Sequence, residues 1–230
     1  LAQAGIASRR EIEEWVVDGA SHLWVQVPRL FNGQFIWMYW GNWDDREAPE
    51  YMTNGEVWAD ADFKGVWHLT ENVANGRKTG LHVDSTANAY GQQNFNSRVT
   101  GAIAGAQTMQ DNPSEDEGIV IDEKPIHRTI TNQIGIEAWV NVPPGISDSN
   151  YKAVMTKSAR YYRSSDWSWQ ETNHFMIFVR EHSPDACFRL RDANYTEHSI
   201  DWKGFTTGVW THLLGTYDGA VQRFYVNGRL

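Results

Sequence analysis

The sequence predicts a mainly β protein, an antiparallel sandwich with one short helix at its start. Three observations predict it. From Val66 onward, short apolar or alternating runs recur with polar loops between them, as the strands of a sandwich do. The stretch from Trp210 to Gly228, WTHLLGTYDGAVQRFYVNG, reads as two alternating strands joined by one turn and closed by another. Aromatic residues make up 13% of the chain, with 41% hydrophobic and 21% charged, a composition able to fill a core rather than stay disordered.

Residues 1–20, LAQAGIASRREIEEWVVDGA, predict the helix. Ser8 is placed to cap it, Glu11 three residues on completes a capping box, and Gly19 stops it after Ile12, Trp15 and Val16 have formed an apolar stripe. His22 to Val27 and Phe35 to Tyr39 are aromatic and β-branched runs separated by Pro28 and Asn32-Gly33, which predicts a hairpin. Further strands are predicted at Val66–Leu69, Gly118–Ile121, Ile134–Val142, Ala153–Lys157, Phe175–Arg180 and Cys187–Leu190. In the Ile134 run, Ile134, Ile136, Ala138 and Val140 alternate to one face, while Gly135, Glu137 and Trp139 take the other.

The last two strands are predicted at Trp210–Tyr217 and Val221–Val226, reversed at Asp218-Gly219. Asn227-Gly228 is the strongest hairpin signal in the chain, because a two-residue turn with both φ positive favours that pair. Only Arg229 and Leu230 follow, so the strand this turn should begin is expected to be missing. Val221–Val226 is then expected to leave backbone groups unpaired on one side.

The motifs Trp210-x-His212, Gly215-Thr216-Tyr217-Asp218-Gly219 and Tyr225-Val226-Asn227-Gly228 closely resemble the late strands of laminin-G-like, concanavalin-A-like jelly-roll domains. That resemblance implies a two-sheet jelly roll over residues 66–230, used mostly to recognise glycans or protein surfaces and sometimes to hydrolyse glycans. Residues 21–65 are similar to part of an uncharacterised β domain of bacterial and archaeal surface proteins, through Trp24-Val25-Gln26-Val27-Pro28, Met38-Tyr39-Trp40-Gly41-Asn42 and Glu56-Val57-Trp58, continuing to Gly65-Val66-Trp67-His68-Leu69. Residues 1–20 resemble the start of the RNA-binding domain of bacterial pseudouridine synthases, through Leu1 to Gly5, Ser8-Arg9-Arg10 and Glu11-Ile12-Glu13. The expected division is therefore a helical segment at 1–20, a partial β domain at 21–65 and a jelly roll at 66–230. These resemblances imply an extracellular or cell-envelope location within a longer chain carrying neighbouring domains.

Charge and motifs exclude several functions. The formal net charge of 20 − 29 = −9 repels phosphate backbones, so nucleic acid is not an expected partner, and RNA binding through residues 1–20 ranks behind a packed helix. No run approaches the roughly 18 apolar residues of a membrane span, so no membrane insertion is expected. The single Cys187 cannot form an internal disulfide. A sandwich glucanase needs two carboxylates a few residues apart on one strand face. The densest acids, Glu115 to Glu117 with Asp122 and Glu123, instead bracket a short strand, so no enzyme is expected. His68 and His212, close to strand tryptophans, read as structural groups.

Two places look able to bind. Asp84 and Asn88, in Val83-Asp84-Ser85-Thr86-Ala87-Asn88, supply oxygens of the kind calcium takes at jelly-roll rims. Two ligands fall far short of the six to eight calcium needs, and an Asx-type turn is the preferred reading, so no cofactor is required. The segment Ser158–Asn173 is predicted as a loop, with Tyr161, Tyr162, Trp167 and Trp169 among polar residues. Sugar rings present apolar C–H faces to such aromatics, while Arg160 and Asp166 are placed to bond hydroxyls. The competing reading is a loop that folds back and buries its own rings. Asn194-Tyr195-Thr196 matches a glycosylation acceptor. The expected partner is a glycan or a surface protein; the alternative is a spacer or adhesion domain with no small ligand.

Overall fold

The computed structural model describes residues 12–13, 22, 24–25, 27, 31–33, 35–36, 56–58, 62–109, 118–144, 151–163, 168–180, 185–204 and 206–230. The chain divides into two compact units, Leu1–Thr129 and Ile130–Leu230. The strands described in each pair antiparallel.

In the first unit, β1 (Ile12–Glu13) pairs with β2 (Trp24–Val25). The helix expected over residues 1–20 is therefore corrected at the two positions described there, and the rest of that stretch lies outside the described residues. A short helix is marginal by propensity alone, whereas β-branched Ile12 pairs readily with Val25. Phe35 and Ile36 are not in strand, and the rest of that predicted run lies outside the described residues. A 3-10 turn spans Glu56–Trp58. β3 (Arg77–His82), β4 (Gly91–Asn94) and β7 (Gly118–Ile121) form one sheet, and β5 (Asn96–Thr100) with β6 (Gly105–Met109) a second. Another 3-10 turn lies at Pro125–Thr129. Val66–Leu69, expected as a strand, is irregular, and Leu69 ends it at φ 60°, outside the extended region.

The second unit is a sandwich. One sheet orders β12 (Glu197–Trp202), β11 (Asp185–Arg191), β10 (Ser168–Arg180) and β9 (Tyr151–Arg163). The other orders β14 (Gln222–Val226), β13 (Thr211–Tyr217) and β8 (Ile134–Val140). Their inner faces enclose a core of Ile136, Val142, Ile177, Val179, Ala186, Phe188, Leu213, Phe224 and Val226. The rings of Phe188 and Phe224 meet across the gap at 6.3 Å between centroids. Alternation decides which residues go inward: along β8, Ile136 is buried while Gly135, Glu137 and Trp139 are exposed. Phe188 is seated on bare backbone, because a Cβ built on Gly215 would stand 2.5 Å from its ring.

The reversals are set by their side chains. Asp218 Oδ1 accepts from the backbone N–H groups of Ala220 and Val221 at 3.0 and 2.8 Å, and Oδ2 accepts from Arg223 Nη1 at 2.6 Å. Arg223 and then those amides hold the Asp218 carboxyl down at about 2. Asn227 and Gly228 take φ 50° and 72°, so both turn residues are left-handed as the pair Asn-Gly favours. Val226 and Arg229 exchange N–H···O bonds of 2.9 and 3.0 Å across this turn. Among the described strands β14 is an edge, its ladder running to β13 on one side only.

Candidate functional site

The segment Ser158–Asn173 is not the loop expected from its polar residues. It is the outer half of the β9–β10 hairpin, with residues 164–167 outside the described set. Backbone pairing sets Tyr162 opposite Trp169, Tyr161 opposite Gln170 and Arg160 opposite Glu171. Opposed residues of an antiparallel pair share a face, and i, i+2 neighbours do too. Positions 160, 162, 169 and 171 therefore fall on one face of the ribbon, and 161, 163, 168 and 170 on the other. Trp167 and Asp166 lie outside the described residues. The register shifts at His174 and again at Val154, so bulges separate this ribbon from the part of the hairpin that enters the core. Tyr, Trp and Thr favour strand, and with a partner alternating in the same way, polar residues do not prevent pairing.

Asp84 is 2% exposed and fully engaged. Its Oδ1 accepts from the amides of Val66 at 2.9 Å and Thr86 at 3.0 Å. Its Oδ2 accepts from the amides of Asn88 at 3.1 Å and Ala89 at 2.8 Å. The Thr86 hydroxyl reaches both oxygens, at 2.8 and 2.9 Å, and Asn88 Nδ2 donates to Thr86 Oγ1 at 2.9 Å. A carboxylate has about four lone-pair sites, and four amides fill them. The bond to the amide two residues on is that of an Asx turn. Trp67 adds to the same structure by donating its indole N–H to the Ala89 carbonyl at 3.0 Å. Among the described residues, no group of three or more His, Cys, Asp or Glu side chains converges as a metal site.

The first unit also holds a buried polar network that sequence reading missed. His82, Gln93 and Asn96 are each 0% exposed. His82 Nε2 lies 2.7 Å from Gln93 Oε1 and Nδ1 lies 3.1 Å from Glu71 Oε2, so both ring nitrogens face acceptors. Glu71 Oε1 accepts from the Val83 amide at 2.8 Å. Asn96 Nδ2 donates to Gln107 Oε1 at 2.9 Å, Gln107 Nε2 donates to the Leu69 and Glu71 carbonyls at 3.1 and 2.9 Å, and Gln93 Nε2 donates to the Asn96 carbonyl. Burial opposes charge on His82, yet Glu71 and Gln93 outweigh it and raise its pKa. Burial likewise opposes charge on Glu71, and the bonds from His82 and the Val83 amide outweigh it and lower its pKa. Both shifts favour the charged forms, and the polar neighbours are satisfied, which is what lets such a cluster stay buried. Sequence gives little sign of it, because its members sit on five separate segments.

Three further groups complete the picture. Cys187 is 1% exposed, and burial followed by Asp201 pushes its thiol up to about 12, which makes it an inert packing residue. Asn194 lies in the exposed turn between β11 and β12, held by Asp192 Oδ1 accepting from the Asn194 and Thr196 amides at 2.8 and 2.9 Å. On the outer face of the β8–β13–β14 sheet, Trp139 stands opposite His212 with ring centroids 5.2 Å apart. His212 Nε2 lies 3.4 Å from Glu137 Oε2, and Glu137 is open to solvent beside it.

No helix among the described residues is long and apolar enough to cross a membrane. The laminin-G-type family model described as the concanavalin A-like lectin/glucanases superfamily matches residues 113–230. Comparison with curated proteins and with solved structures gives no match.

Proposed function

The chain belongs to the concanavalin A-like lectin/glucanases superfamily, and on that premise we propose that it is a non-catalytic module of a surface or secreted protein that binds carbohydrate. Membership supports a binding module in general. The observation that carries the finer reading is the β9–β10 register, which brings Tyr162 and Trp169 into one cross-strand pair flanked by Arg160 and Glu171. Two aromatic residues at paired positions of one ribbon suit the apolar face of a pyranose, and charged residues two positions away suit its hydroxyls. Tyr161, at the next position along β9, and Trp167 and Asp166, which precede Ser168 in sequence, extend the candidate set. No metal is needed for such binding, since stacking and hydrogen bonds suffice.

The test is retention of the protein on immobilised polysaccharides, comparing wild type with a Trp167→Ala, Trp169→Ala double variant. Retardation lost in the variant supports the reading. Retardation unchanged in the variant refutes the ribbon as the site, and no retardation on any glycan favours a spacer or adhesion domain.

A further inference from the structure

The outer face of the β8–β13–β14 sheet presents chemistry that the ribbon reading does not use. Trp139 is 46% exposed although it lies on a paired strand, where a large ring gains from being covered. Next along the same face is Glu137, its side chain 65% exposed, two residues from Trp139 and opposite Leu214. Tyr225 stands opposite Leu214 on the third strand. Gly135, two residues before Glu137, faces open space: a Cβ built there meets nothing within 4 Å. The face therefore has a half-open indole at one end, a carboxylate in the middle and a bare backbone floor at the other.

We propose that this face binds a pyranose carrying a free amine, with the sugar's C–H face on Trp139 and its ammonium against Glu137. Each part of the ligand follows from a part of the surface. An indole face attracts both C–H groups and cations, because its quadrupole is negative there. A solvent-facing carboxylate beside it selects positive charge. Arg223, the cation nearest along β14, is taken up by Asp218 at 2.6 Å and does not neutralise Glu137. His212 approaches Glu137 through one oxygen only, Oε2, which leaves Oε1 for a ligand. The space over Gly135 admits the next sugar unit of a chain without a side chain to displace. This inference uses a different surface from the hairpin ribbon and stands or falls separately from it.

The experiment is calorimetric titration of the full chain with a β-linked glucosamine hexamer and with its fully N-acetylated counterpart. The free-amine oligomer is expected to bind about five-fold tighter, the upper end for one exposed ion pair, and the preference should shrink as salt is raised. Glu137→Gln should abolish the preference while leaving the acetylated oligomer's affinity unchanged. Trp139→Ala should weaken both oligomers, and Trp139→Phe should restore part of that loss, which separates a stacking role from a folding defect. Asp122→Asn removes one acidic charge elsewhere and should leave the preference intact, as should Trp169→Ala. A preference that survives Glu137→Gln would mean attraction to the whole acidic chain and would overturn the proposal. So would equal affinity for the two oligomers, or loss of the preference in Trp169→Ala.

Discussion

Removing the Asp84 carboxylate should be among the most damaging single changes outside the sandwich core. Asp84→Ala leaves the amides of Val66, Thr86, Asn88 and Ala89 without their acceptor. An unsatisfied buried donor costs about 1–3 kcal/mol. Ala89 is 3% exposed and bears that cost in full, whereas the other three are half-buried and recover most of theirs by bonding water. The sum is on the order of 2–4 kcal/mol, with the loop from Asp84 to Ala89 released from the Val66 segment. Asp84→Asn should cost about 2 kcal/mol, since one oxygen remains while an N–H₂ faces the donors on the other side. Urea unfolding followed by tryptophan fluorescence measures both. A loss below about 1 kcal/mol for Asp84→Ala would refute the accounting. Thermal unfolding should also be the same with calcium and with a chelator, because the carboxylate's acceptor sites are already occupied; a calcium-dependent rise would show that a ligand displaces those amides.

Three other outcomes follow from the packing and the ionisation states. Gly215→Ala should destabilise the sandwich by about 1–3 kcal/mol, read by urea unfolding, because the added methyl meets the immobile Phe188 ring at 2.5 Å. Cys187 should not react with a thiol reagent at pH 8 in the native protein and should react fully once unfolded, given a thiol pushed up to about 12. The Glu71–His82 pair should make stability bell-shaped in pH. Glu71, lowered on folding, contributes above its ordinary 4.5 and loses that contribution as pH falls through its folded value. His82, raised on folding, contributes below its ordinary 6.5 and loses that contribution as pH rises through its folded value. The plateau therefore lies between about 4.5 and 6.5, and Glu71→Gln should flatten the acid limb in a pH series of unfolding midpoints.

The parts of the fold legible in sequence are those whose signal is local. Ile134–Val140 alternates on its own, and Asp218-Gly219 and Asn227-Gly228 carry their turn geometry in two residues each. The strands that escaped notice, such as Gly91–Asn94 and Asn96–Thr100, are written in Gln, Asn and Ser, because part of what they bury is a polar network rather than an apolar face. Their pattern makes sense only once His82 and Glu71 are placed beside them. Ser158–Asn173 failed for a related reason: its aromatic and polar residues alternate into a ribbon only when Tyr162 is set opposite Trp169. Alternation alone sets Trp139 on the face opposite Ile136, yet its partnership with His212 depends on β8 pairing with β13 from far along the chain. Local patterns identify strands and turns; sites assembled from several strands need the register.

The central claim is that this sandwich binds carbohydrate through the aromatic residues of its β9–β10 hairpin. Its most direct measurement is an NMR titration of the indole N–H resonances with soluble glycans, with Trp169 and Trp167 assigned by substitution. The account predicts that those two indoles shift saturably with at least one glycan while the others stay in place, apart from Trp139 with the glucosamine oligomers, free or acetylated. Saturable binding that leaves both hairpin indoles unmoved would contradict it.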